Sequence, residues 1–339
     1  MEYRKSDTLP VTDTLKGIAI SAVLINHYVN MHVSVDAAGF ANLFIALFYM
    51  ASGYGLYYSL SKALADETAF SKKALFLFYR DRAIRILPLF WIALLVSRIP
   101  SPWAYLGLDA PDHFWFIPTL LQCYVLAPLI FSGMRKNKAA LITIVVLAFA
   151  GINCLAELGH AGYLIVTLMG FLHTWWRGLY FIYILLFTFG IWLPYFLNPT
   201  RIKHPLFAKL AFCLLLASTL GFMILLKYYV QNRLFFGILP LAALALLFIH
   251  AIRYTISFRV FAYLGSISYS IYLFHILYFK AIDGIGFAGR PLADLAICIV
   301  LFPLFLYGCS KSEELGKFIA QKLRVFIKYP LFQRTHLGC

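Results

Sequence analysis

Ten apolar runs, each seventeen to twenty-two residues long, recur along this chain at 14–35, 41–61, 83–99, 114–133, 139–157, 178–197, 206–227, 234–252, 261–281 and 291–309. At 1.5 Å of rise per residue, about twenty helical residues match a hydrocarbon core of about 30 Å. No feature constrains the fold more. Backbone groups inside lipid must be satisfied within their own segment, so runs of this length and composition predict helices. Composition agrees: 62% of residues are hydrophobic and 13% charged, with a mean hydropathy of +0.82. The expected class is an all-α polytopic membrane protein of about ten transmembrane helices. Once those are placed, the 339 residues leave no stretch for a separate soluble catalytic domain. Residues 158–177 hold an apolar stretch too short to span and predict a loop with a short or re-entrant helix. No internal repeat is visible, which disfavours inverted-repeat transporter folds.

The net charge of +15 invites a nucleic-acid reading, which the placement of the charges excludes. Lys and Arg lie between the apolar runs rather than on one polar face. With the N-terminus inside, twenty-one of the 29 basic residues fall on the cytoplasmic side and six on the other. That asymmetry predicts both termini in the cytoplasm for an even number of spans. Arg4 and Lys5 before an apolar stretch resemble a signal peptide, but the later spans favour an uncleaved first helix. The expected organisation is a cytoplasmic tail over 1–12, a membrane domain over 13–309 and a cytoplasmic tail over 310–339. In that last tail Leu315, Phe318, Ile319, Leu323, Phe326 and Ile327 share helical spacing, opposite Lys317, Gln321, Arg324 and Lys328. The pattern predicts an amphipathic helix lying in the interface. The six cysteines show no close pairing, so neither a disulfide framework nor a metal site is expected.

Within the first run, Asn26 and His27 interrupt the apolar residues. Ionisable groups inside a span are costly and mark functional sites by default. A buried histidine bonded to a neighbouring helix is the plainer account; a proton-moving imidazole is the other. Asp13 and Lys16 fall on the same helical face as His27. Lys16 is eleven residues away, about 16 Å along the axis. An N-cap aspartate with a snorkelling lysine explains the pair without function. A ligand anionic at one end and reactive at the other explains it with function.

Arg82 and Arg85, one turn apart at the start of the third run, serve as positive-inside flanks or as a pair of guanidinium forks for phosphate. His113, Trp115, Gln122 and Tyr124 open the fourth run from the outer side. They are an interfacial aromatic belt or the lining of a sugar pocket. Ser266, Ser268 and Ser270 read as small helix–helix contacts, with Tyr272 and His275 beyond them on the ninth run.

Together these stretches resemble the membrane acyltransferase-3 family of integral membrane O-acyltransferases that modify bacterial surface and exported glycans. Asp13-Thr14-Leu15-Lys16-Gly17 followed by His27 is similar to the family's opening. Residues 48–54 resemble its second-span Ser-Gly-Phe segment, with Tyr54 in place of phenylalanine. Arg82-Ala83-Ile84-Arg85 is similar to its Arg-x-x-Arg motif. Phe114-Trp115-Phe116 with Tyr124 and Pro128, and residues 268–275, resemble later signatures. Lys16 departs from the usual arginine and loses the bidentate fork.

The resemblance implies acyl-CoA, most simply acetyl-CoA, entering from the cytoplasm with its phosphates near Lys16, Arg82 and Arg85. It makes His27, with Asp13, the catalytic pair, His27 acting as general base or transient acyl carrier. It brings a glycan or lipid-linked saccharide past Trp115, Tyr124 and His275 from the periplasmic side. The expected setting is the bacterial inner membrane, with membrane lipid around the chain and no metal. The alternative is a transporter or flippase of a lipid-linked sugar, which predicts broken helices, repeats or charged pairs at the midplane.

Overall fold

A computed structural model describes residues 5–32, 38–63, 71–106, 112–137, 181–197, 205–229, 233–285 and 291–327. Of these, 92% are helical, and no strand occurs among them. The helices are α1 (Lys5–His32), α2 (Ala38–Ala63), α3 (Lys72–Val96), α4 (Pro102–Tyr105), α5 (Phe116–Lys136), α6 (Phe181–Trp192), α7 (Pro205–Tyr229), α8 (Arg233–Arg253), α9 (Arg259–Ser266), α10 (Ser268–Asp283) and α11 (Pro291–Ile327). A 3-10 turn over Asp112–Trp115 leads into α5, and another over Leu193–Tyr195 ends α6.

The all-α expectation holds; the count of ten spans is not reproduced. Among the described residues, four helices qualify by length and apolarity as membrane-crossing: Leu43–Lys62, His113–Lys136, Pro205–Met223 and Ala293–Ile327. The bent pair α9–α10 makes a fifth if it is one span. Helices occur in nine of the ten apolar runs, but polar residues lower the hydropathy of α1 and six charged residues that of α3. The run 139–157 and the ambiguous segment 158–177 lie outside the described residues.

Three boundaries differ from expectation. Helix α1 begins at Lys5, so most of the expected N-terminal tail belongs to the first helix. Pro10 sits inside it, and the Thr14 hydroxyl donates to the Pro10 carbonyl oxygen at 2.8 Å. The ninth run is not one straight helix: α9 and α10 meet at 78°. There the Ser266 hydroxyl donates to the Tyr263 carbonyl at 2.7 Å, and the Ser268 hydroxyl to the Gly265 carbonyl at 2.7 Å. Those serines therefore end one helix and start the next, satisfying carbonyls that lose their helical donors.

The third difference is the C-terminal amphipathic segment, which continues the last run as one 37-residue helix. At about 55 Å it is longer than a hydrocarbon core is thick. Near its end Arg324 pairs with Asp81 of α3 at 3.6 Å, tying it to the bundle. Its apolar face, with Leu315, Phe318 and Phe326, is exposed.

Helix α1 is the hub: it packs on α2, α9, α10 and α8. Backbone touches backbone at its contact with α9. A Cβ on Gly17 would overlap the Phe261 carbonyl oxygen, and one on Gly265 would overlap the Asp13 carbonyl oxygen. Helices α2 and α6 cross the same way, Gly53 against Phe187 and Gly190 against Met50. Small residues let helices approach where lipid offers no hydrophobic drive for association. The core behind these crossings is aromatic: Phe44, Tyr49, Phe90, Phe114, Phe187 and Phe248 are all buried. Cys123, Cys298 and Cys309 are buried and unbridged, as small core residues should be, whereas Cys213 is exposed.

Candidate active site

Three imidazoles from three elements meet inside the bundle. His27 of α1 and His275 of α10 have ring centroids 4.8 Å apart. His113, on the 3-10 turn before α5, lies 5.2 Å from His275. His275 is fully buried, and His27 and His113 are partly so. Tyr272 holds the cluster together. Its hydroxyl donates to the His113 carbonyl oxygen and accepts from the Phe116 N–H at 3.3 Å, fixing the 3-10 turn to α10. The Tyr272 carbonyl oxygen lies 2.7 Å from His275 Nδ1. A carbonyl only accepts, so Nδ1 carries the hydrogen and the neutral ring keeps its lone pair on Nε2.

The charges gather elsewhere. Lys16 Nζ pairs with Asp13 Oδ1 at 3.2 Å. Arg85, exposed one turn beyond Arg82, and Glu313 of α11 lie within electrostatic reach of Lys16. Glu313 Oε1 accepts from the Ser270 N–H at 3.3 Å and so caps the first turn of α10. Arg82 has a different setting. Its guanidinium lies between the rings of Phe78 and Tyr124, at 5.6 and 5.7 Å, and donates to the Ser59 hydroxyl at 3.1 Å. Ten residues into α3, Arg82 sits about 15 Å along the helix from its start.

These positions reorder the residues expected from sequence. His27 and His275, read on separate spans, are in contact. Asp13 is not brought to His27: fourteen residues separate them, about 21 Å along α1, and Asp13 is engaged by Lys16. Trp115 and Tyr124 both meet rings of α6, Tyr124 through Phe187 at 6.0 Å. Trp115 stacks on Tyr183 of α6 at 5.7 Å, and Tyr124 also carries Arg82 on its ring. The paired forks of Arg82 and Arg85 also separate, one held between rings and one exposed.

Sequence reasoning left Glu313 aside, because it lies past the last apolar run where acidic residues are ordinary. It also gave His113 a lesser place, since a histidine before a span reads first as interfacial. An imidazole adjoining Phe114-Trp115-Phe116 was the available signal. Among the described residues, no group of three His, Cys, Asp or Glu side chains is arranged to hold a metal ion.

Polar side chains buried in the bundle, imidazoles touching across helices and cations gathered apart from them describe an enzyme site better than a structural bundle. A family model described as an acyltransferase domain matches residues 12–309. The chain belongs to the acyltransferase-3 family and is a membrane acyltransferase. No curated protein and no solved structure matched it.

Proposed function

We propose that the protein is an O-acyltransferase that moves an acetyl group from cytosolic acetyl-CoA to a hydroxyl of a surface or exported glycan. The observation that carries this reading is the contact of His27 with His275, in a chain whose cations, Lys16 and Arg85, gather about 16 Å along α1 from that contact. Phosphates of the donor are bound by Lys16 and Arg85, with Arg82 completing the path between Phe78 and Tyr124. The pantetheine arm then spans the distance to the imidazoles. The acceptor, a glycan or lipid-linked saccharide, comes from the opposite side past His113 and Trp115. His27 serves as general base or transient acyl carrier. The protein sits in a bacterial inner membrane with both termini in the cytoplasm, in keeping with the asymmetry of its basic residues.

Transfer of label from acetyl-CoA by the purified protein in lipid nanodiscs tests this reading. The assay sets wild type beside His27→Ala and the Arg82→Ala/Arg85→Ala double variant. Expected are label on the acceptor for wild type alone and weakened donor binding in the double variant. Transfer by His27→Ala at the wild-type rate would discard the mechanism. The break between α9 and α10 is a feature a flippase would share; flux of lipid-linked sugar without any acyl donor is the outcome that would favour that alternative.

A further inference from the structure

His275 carries an atom that the fold does not satisfy. Its Nδ1–H is spent on the Tyr272 carbonyl, 2.7 Å away. Its Nε2 is buried and meets no hydrogen-bond partner among the described residues. A histidine serving only as packing would bond both nitrogens, since a buried acceptor left unmade weakens the fold. The rings around it are His27 at 4.8 Å, His113 at 5.2 Å, Tyr272 at 5.9 Å and Phe279 at 6.2 Å, and none of them holds Nε2. The arrangement is that of a base whose orienting bond is made and whose substrate bond is open.

We propose that His275 Nε2 is the general base that takes the proton from the acceptor hydroxyl. This rests on the acyltransferase reading above and deepens it, with the base placed on His275 instead of His27 and the acyl group passing directly to the acceptor oxygen. The hydroxyl donates to Nε2; as the proton transfers, its oxygen attacks the acyl carbonyl carbon. The new C–O bond forms, the C–S bond of the thioester breaks, and the proton on Nε2 is returned to the departing thiolate. Acid and base thus balance without any further reactant. His27, one ring away, is left to face the acyl group.

The test uses the full chain in nanodiscs with labelled acetyl-CoA and acceptor extracted from membranes of the producing cells. His275→Gln is expected to lower kcat about 100-fold or more, while acetyl-CoA binding stays within threefold of wild type. His275→Ala, with the ring removed, is expected to regain transfer when free imidazole is added, which a packing role would not produce. A His275→Gln enzyme that keeps more than a third of wild-type kcat overturns the proposal. So does a His275→Ala protein that binds donor normally, transfers nothing and is not rescued by imidazole. Wild-type protein that transfers no label at all overturns the acyltransferase reading underneath, a different result from either.

Discussion

Single residues here have environments that assign them unequal tasks despite equal chemistry. Arg82 and Arg85 are one turn apart, yet one is clasped by Phe78, Tyr124 and Ser59 and the other is exposed. A lysine at 82 keeps the charge but loses the planar face that lies between the rings. Arg82→Lys is therefore expected to destabilise the protein by about 0.5–2 kcal/mol, read as a lowered melting temperature, whereas Arg85→Lys leaves stability unchanged. Tyr272 is the residue on which the histidine cluster is built. Its loss as Tyr272→Phe strips partners from the His113 carbonyl and the Phe116 N–H, at a cost of about 1–3 kcal/mol. Transfer should fall while acetyl-CoA binding persists, since the cations stand apart from this bond. Equal loss of both would show that Tyr272 supports the whole bundle instead.

At the scale of elements, the crossing of α1 with α9 is a place where backbone meets backbone. Gly265→Val is expected to force the helices apart and to cost about 1–3 kcal/mol or more, with reduced yield of folded protein from membranes. Gly55, whose Cβ would meet nothing within 4 Å, is the control: Gly55→Ala should fold as well as wild type. A Gly265→Val protein as stable as wild type would contradict this packing. The bend at Ile267 belongs to the same scale. It frees the N–H of Ser270 for Glu313, so the last helix reaches back to the one that carries His275. Glu313→Gln keeps an acceptor there and should fold, while Glu313→Leu should lose both stability and transfer.

For the whole molecule, the expectation is a bundle whose cations and imidazoles open to different sides of a membrane. Reporter fusions at the two ends test its orientation: green fluorescent protein should fluoresce at both, and periplasmic alkaline phosphatase should be silent at both. Activity of the phosphatase at either end would reverse the side from which the donor is expected.

The sequence alone determined the helical character, the membrane setting, the family and which polar residues interrupt the apolar runs. These follow from local quantities: apolar run length, charge placement and residues eleven or fourteen apart on one helix face. Periodicity puts Lys16 and His27 on a common face, and both do ride a single helix. It also put Asp13 on that face, but a shared face is not proximity, and about 21 Å of helix separates Asp13 from the imidazole it was expected to assist. The partner of His27 is His275, some 250 residues away in the chain, and no spacing rule relates them. Only tertiary packing decided that contact, through glycines that let α1 and α9 touch and a bend that turns α10 across α1. The same packing brought the Arg82 guanidinium onto the ring of Tyr124. Helix geometry is legible along one chain segment, whereas a site assembled from three segments is settled by which backbones can approach closely.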